Sequence, residues 1–123
     1  MTPYRSHIPS LQFEIEYENE ESVEELLGGV GQRVLDKVLR LANSVSKKEN
    51  WPLTKIQLQR YVDIDVPGWE YVLIIMVFDC TFEIANSYLH EFYKHLDNLI
   101  SQLNEEEKAV MYKFLYFDIE TTD

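Results

Sequence analysis

The stretch Ile56–Phe78, IQLQRYVDIDVPGWEYVLIIMVF, contains two strand patterns on either side of a turn. Apolar and polar residues alternate from Ile56 to Val66, with Arg60 as the exception on the apolar side, and a period of two is typical of a strand. The tetrapeptide VPGW at 66–69 fits a type II turn, because proline sets φ at the second position and glycine accepts a positive φ at the third. Residues 71–78 are apolar throughout, so the stretch is predicted to fold as an antiparallel hairpin.

The turn also predicts how the two strands pair. Val66 opposite Trp69 places Val62 opposite Leu73, and this apolar side is expected to face the helices. The other side of the second strand then carries a row of apolar residues that no helix covers. We predict that this row forms an interface together with Tyr61 from the first strand of the hairpin and Tyr116 from the last strand of the chain. The row consists of Val72, Ile74, Met76 and Phe78.

Two further strand patterns and two helical patterns flank the hairpin. The first helix begins in the acidic stretch Glu18–Glu25, where Ser22 and Glu25 have the spacing of a capping box, and it ends before Pro52. Asn104 and Glu107 suggest a second capping box and a short helical turn. The predicted strands cover 11–17, 53–66, 71–78 and 114–119, and the predicted helices cover 23–45 and 82–103.

The resulting order of elements, βαββαβ, predicts an α+β fold. It is the order of the split βαβ, ferredoxin-like arrangement, in which a four-stranded antiparallel sheet carries two helices on one face. A chain of 123 residues suffices for one hydrophobic core but not for two. We therefore predict a single domain over residues 1–123.

Composition argues against several classes of partner. The formal net charge is −11, from 22 acidic and 11 basic residues, and no basic patch is evident. Nucleic acids and anionic membrane surfaces attract lysine and arginine, so neither is an expected partner. The longest apolar run is too short to span a bilayer as a helix, and no signal peptide is evident. We expect a cytoplasmic protein that a basic partner can attract.

Three of the four glycines lie between residues 28 and 31, in the sequence GGVG. The segment lacks the lysine of a phosphate-binding Walker loop, and it contains only half of the dinucleotide-binding fingerprint. A break in a long helix, or close packing of that helix, is therefore the leading interpretation. The alternative is an anion site at glycine amides, formed by Gly29 and Gly31 with Arg33. Arg60 is a further candidate for an anion ligand, although it is expected to extend to solvent or to pair with a helix carboxylate.

The remaining titratable residues do not form a recognisable catalytic or metal site. His90 and His95 are five residues apart, so they lie roughly 140° apart around a helix and cannot share a metal ion. Cys80 has no base beside it in the sequence and is expected to be a small buried apolar residue. A hairpin tip is predicted to gather three carboxylates, for which a solvated acidic edge is favoured over a cation site. They belong to Asp63, Asp65 and Glu70.

These patterns favour a small, non-catalytic interaction or regulatory domain without a cofactor or metal. The leading prediction is a homodimer that forms through the open face of the sheet. The alternatives for that face are shielding by a terminal segment or by neighbouring side chains, and binding of another protein or an apolar ligand. The alternative function is a sensor of a small anionic metabolite, or a small enzyme, with a pocket near the glycine break at 28–31.

Overall fold

The computed structural model describes residues 11–122, in which four strands form one sheet and three helices pack against it. The predicted order of strands and helices is confirmed, with the last helical turn lengthened into a full third helix. The strands are β1 (Glu14–Tyr17), β2 (Leu53–Val62), β3 (Glu70–Phe78) and β4 (Leu115–Thr121). The helices are α1 (Glu20–Glu49), α2 (Phe82–Ile100) and α3 (Glu105–Phe114).

The sheet is mixed, and the prediction of a fully antiparallel, ferredoxin-like sheet is wrong. Its strands follow one another in the order β1-β2-β3-β4. β1 is parallel to β2, β2 is antiparallel to β3, and β3 is parallel to β4. The chain therefore forms two adjacent βαβ units joined by the β2–β3 hairpin. In the ferredoxin-like arrangement the same units are interleaved, which makes every neighbouring pair antiparallel.

The β2–β3 hairpin contains the predicted turn but not the predicted pairing. Trp69 donates its backbone N–H to the carbonyl of Val66 at 3.1 Å, and Gly68 has a φ of 82°. Pairing begins only at Val62 opposite Glu70, so residues 63–69 form a loop. The Asp63 carboxylate holds this loop by accepting the backbone N–H groups of residues 65 and 66 at 2.8 and 2.9 Å.

The longer loop shifts β3 by three residues relative to β2. An odd shift exchanges the two faces of a strand, since side chains alternate with a period of two. Ile56 and Leu58 on β2 face the helices as predicted, but Ile74 and Met76 lie opposite them on the same face. The prediction that the apolar row of β3 is uncovered is thus wrong, because all four of its residues are at most 1% exposed. They are Val72, Ile74, Met76 and Phe78.

All three helices cover this same face of the sheet. Their buried side chains belong to one core cluster with the even-numbered residues of β3 and with Leu115 and Ile119 of β4. Leu115, Phe117 and Ile119 face inward, and the Phe117 ring packs against Phe92 of α2 with ring centroids 5.8 Å apart. The opposite face, which no helix in residues 11–122 covers, is called the open face below.

Helix α1 is interrupted at the glycines. Gly28 has φ 68° and ψ −169°, so the predicted helix break is confirmed and lies at this residue. The predicted capping box of Ser22 and Glu25 is wrong, because Asn19 caps the helix by accepting the Ser22 N–H at 3.0 Å. Asn19 begins the helix three residues earlier, and Ser22 then lies inside the first turn.

A buried carboxylate ties α3 to α1. Glu107 is 6% exposed, and it accepts the backbone N–H of Asn104 at 3.1 Å in the capping box that the sequence predicts. Its other oxygen lies 3.1 Å from Lys37 Nζ on α1. These two contacts, the backbone hydrogen bond first, hold the pKa of the Glu107 carboxyl below its usual value. Glu107 therefore contributes stability in its charged form.

We expect the Glu107→Gln variant to lose less stability than the unsubstituted chain when the pH is lowered. A carboxyl whose pKa is lower in the folded chain stabilises fully above its unfolded pKa of about 4.3, and this contribution disappears as pH falls through the folded pKa. Glutamine removes the charge and keeps the size. Urea unfolding from neutral to acidic pH measures the effect, and Glu106→Gln, in the exposed position beside it, is the control. Equal acid slopes in both variants would contradict the assignment.

Candidate interaction surface

Four aromatic rings lie together on the open face, at the end of the sheet where the β2–β3 loop begins. Tyr71 is at the centre, with its ring centroid 4.8 Å from Tyr116, 5.1 Å from Trp69 and 5.8 Å from Tyr61. Trp69 also meets Tyr116 edge to face, at 5.5 Å and 80°. These four residues are called the aromatic cluster. Ring pairs at such distances attract one another beyond the area that they bury, so the cluster is held in one arrangement.

The aromatic cluster continues into an exposed apolar loop tip. Tyr61 is 45% exposed and Ile64 is 94% exposed, and Val62 and Val66 are also exposed. Ile64 is a large apolar side chain, and its contact with water forgoes the favourable free energy of burial. Exposed apolar side chains of this kind often mark a binding site.

One carboxylate lies close to the aromatic cluster, and further charged residues follow along the open face. Burial is the largest cause of a raised pKa at the Tyr71 hydroxyl, and the nearby charge of Asp63 raises it further. On the same face, the register places Val77 between Lys55 of β2 and Glu120 of β4, and Ile75 beside Asp118. Val77 and Ile75 are themselves buried, so the accessible apolar part of the open face is the aromatic end.

Only part of the predicted interface reaches the open face. Tyr61 and Tyr116 lie there and belong to the aromatic cluster, whereas the apolar row of β3 is in the core. Two residues of the cluster, Trp69 and Tyr71, are absent from the predicted set. The wrong register assigned Tyr71 to the helix side, and Trp69 was treated as part of the turn. The density of aromatic residues around the turn was the available signal.

The residues proposed for an anion site do not converge. Gly29 lies in α1 with open space around it, Gly31 is buried against Leu27, and Arg33 is exposed. Arg60 lies on the helix side, where its Nε is 2.8 Å from a carboxylate oxygen of Glu70 on β3. The predicted pairing with a helix carboxylate is confirmed at Glu25 of α1.

Arg60 also joins the hairpin to α1. Its Nη1 lies 3.0 Å from Glu25 Oε1 and donates to the carbonyl of Ser22 at 3.1 Å. The hydrogen bonds to Glu70 and Glu25, in that order, raise the pKa of the guanidinium. A guanidinium held by two carboxylates is a structural link rather than an anion ligand.

Carboxylates lie near the hydroxyl of Tyr17, the last residue of β1. Burial, followed by the charges of Glu20, Glu24 and Asp36, raises the pKa of the Tyr17 hydroxyl. Burial and Glu24 also raise the pKa of Glu20. One carboxylate oxygen each of Glu20 and Asp36 is buried and accepts no hydrogen bond from the described residues. This environment disfavours an anionic ligand.

The other chemistry-bearing residues remain separate. Within residues 11–122, no group of three or more His, Cys, Asp or Glu side chains is arranged to hold a metal ion. Asp63 binds backbone N–H groups of its own loop and Glu70 pairs with Arg60, so the predicted acidic tip does not gather its three carboxylates. His90 is exposed, and its Nδ1 lies 2.9 Å from the carbonyl of Asn86.

The described helices include none that combines the length and the apolarity needed to cross a membrane. Comparison of the chain with protein-family models, with curated proteins and with solved structures gives no match. The aromatic cluster and the charged residues near it are therefore the observations on which a function can be argued.

Proposed function

We propose that this chain is a non-catalytic interaction domain that binds a basic protein partner through the aromatic cluster on its open face. The observation that carries the proposal is the packing of Tyr61, Trp69, Tyr71 and Tyr116 beside the exposed loop tip. Tryptophan and tyrosine are the residues on which binding energy most often concentrates in protein interfaces. A rigid aromatic surface also loses little conformational entropy when a partner docks on it.

Charge favours a basic partner. The chain carries a net charge of −11, and Asp63 lies near the centre of the cluster. An acidic surface accelerates the approach of a cationic protein. Once bound, arginine or lysine side chains gain a cation–π attraction over tyrosine and tryptophan rings.

The homodimer predicted from the sequence is a weaker candidate for this face. Its main support was the apolar row of β3, which is buried within the chain. In a two-fold interface each patch meets its own copy. Asp63 and Asp118 of one copy would then approach a surface with the same carboxylates, which is unfavourable. A small-molecule pocket at the glycine break has less support, because Arg60 is engaged and carboxylates lie near Tyr17.

The first test measures binding of a synthetic oligo-arginine peptide by calorimetry. We expect Trp69→Ala to weaken binding by about tenfold, or about 1.4 kcal/mol, because the substitution removes a ring that contacts two others in the cluster. Phe82→Ala is the matched control, since it removes an aromatic side chain that is 58% exposed at the start of α2 and leaves the net charge unchanged.

Equal affinities for Trp69→Ala and the unsubstituted chain would mean that net charge alone attracts the peptide, and the proposal would be wrong. Light scattering tests the competing hypothesis, that the cluster forms a homodimer interface. A mass of about 29 kDa, twice the 14.6 kDa of the chain, that Tyr116→Asp returns to the monomer value would assign the cluster to self-association instead.

A further inference from the structure

The β2 strand extends beyond its neighbour β1 and leaves part of its edge unpaired. β2 has ten residues and β1 has four, and the pairing of β1 ends at Tyr17 opposite Leu58. One more hydrogen bond follows, from the Glu18 N–H to the Leu58 carbonyl at 3.1 Å. The chain then leaves the sheet and enters α1.

Two residues of β2 direct their backbone N–H and C=O groups toward the side of the strand that β1 no longer covers. Asp63 donates its N–H to Trp69 on the β3 side, whereas Leu58 accepts on the β1 side, so even-numbered residues at this end of β2 face away from β3. Arg60 and Val62 are the next even-numbered residues. Within the described chain, neither forms a backbone hydrogen bond on that side. Val62 is 61% exposed and Arg60 is half-buried, so the edge is accessible at its Val62 end.

The opposite edge of the sheet is partly closed by its own side chains. Thr122, directly after β4, donates its backbone N–H to the carbonyl of Phe78 on the β3 side, so the backbone groups of the odd-numbered residues of β4 face outward. The outward N–H of Ile119 is taken by the Asp118 carboxylate at 2.8 Å. Charged side chains at the edge of a sheet commonly prevent unwanted pairing with a strand of another chain. No comparable side-chain bond to Arg60 N–H or Val62 N–H occurs among residues 11–122.

The surroundings of the open β2 edge define what fits there. Tyr61, between the two unpaired residues, projects from the open face and begins the aromatic cluster. The carboxylate of Glu25 lies beside Arg60 and is 78% exposed, and two further acidic residues, Glu18 and Asp63, directly follow the last residue of β1 and the last residue of β2. An extended segment with basic side chains therefore matches both the backbone groups and the charge.

We propose that the edge of β2 at residues 59–62 accepts an extended, basic segment of the partner as an additional strand. The segment hydrogen-bonds to the backbone of Arg60 and Val62, and every second side chain lies on the open face beside Tyr61, the residue of the aromatic cluster that belongs to β2. Addition of a strand to a free sheet edge is a general mode of peptide recognition, with affinity from the main chain and specificity from alternate side chains. This inference rests on the proposed interaction function and specifies its geometry.

The test uses a synthetic peptide of alternating lysine and valine, observed by NMR on the ¹⁵N-labelled chain. The amide protons of Arg60 and Val62 report on the edge, through their exchange with solvent, and the indole N–H of Trp69 reports on the aromatic cluster. We expect the peptide to shift the indole signal and to slow exchange of both amides by about tenfold or more. The same peptide methylated on every backbone nitrogen is the matched control and should give no protection.

A variant tests the same contact from the side of the protein. Val62→Pro removes an N–H that makes no bond to β3, and it should weaken peptide binding by about tenfold, whereas Val62→Ala should not. An indole shift without amide protection would overturn strand addition and leave the interaction function standing. Absence of both responses would overturn the two proposals together.

Discussion

The substitution Ile74→Asp is expected to unfold the chain. Ile74 is 1% exposed, in the centre of β3 and within the core beneath the helices. Aspartate there removes a large apolar side chain and buries a carboxyl group without a partner, which costs about 4 kcal/mol or more. Small domains have a total stability of about 5–15 kcal/mol. Circular dichroism and urea titration should show no cooperative unfolding transition.

Leu73→Asp is the matched control, one residue away on the same strand. Leu73 is half-buried on the open face, so aspartate there remains in contact with water. We expect a folded chain, a loss of about 1 kcal/mol and an unchanged dependence on urea. The register read from the turn alone predicts the reverse, with Leu73 inside and Ile74 outside. A folded Ile74→Asp variant beside an unfolded Leu73→Asp variant would therefore contradict the observed register.

This pair of positions shows what the sequence could and could not predict. The faces of β2 follow from its own alternation, and Ile56 and Leu58 lie inside as expected. β3 is apolar at every position, so its pattern cannot distinguish its two faces. The assignment depended on the turn, and the Asp63 carboxylate lengthens that turn into a loop. One side-chain contact therefore reversed the assignment for a whole strand.

The order of the strands across the sheet could not be predicted from the sequence, for a different reason. Two βαβ units joined by a hairpin have the same order of elements whether the units lie side by side or interleave. The charges offered a weak signal. Glu14 and Glu16 alternate along β1, and Asp118 and Glu120 alternate along β4, as is common for edge strands. The interleaved arrangement places the first strand in the centre, where such charges are less favourable.

The sequence predicted two of the four residues of the aromatic cluster. Tyr61 and Tyr116 were assigned to the open face, because each lies on a strand whose inward side was correctly identified. Tyr71 is missing from the predicted set because the predicted register of β3 places it on the wrong face of the sheet. Trp69 lies outside any strand, so no periodicity describes it, and its contact with Tyr116 joins segments that are distant in sequence.

The three glycines of α1 are expected to respond in opposite directions to alanine. Gly31→Ala should be the most destabilising, because an added Cβ would lie 2.5 Å from Leu27 Cβ. Residues four apart on a regular helix keep their Cβ atoms about 5–6 Å apart. The non-helical Gly28 lies between these two residues and brings them together. Neither Cβ can move without the backbone, so the cost is expected at about 3 kcal/mol, the upper end for overpacking.

Gly28→Ala and Gly29→Ala separate backbone strain from crowding. No atom would contact a Cβ at either position, so their effects depend on the backbone alone. At Gly28, φ of 68° with ψ of −169° is a region that only glycine adopts readily, and alanine should cost about 1–3 kcal/mol. Gly29 is helical, so alanine there should stabilise by about 0.5–1 kcal/mol. Urea unfolding of the three variants measures this order, and a stabilising Gly28→Ala would show that the helix is continuous and that its break does not exist in solution.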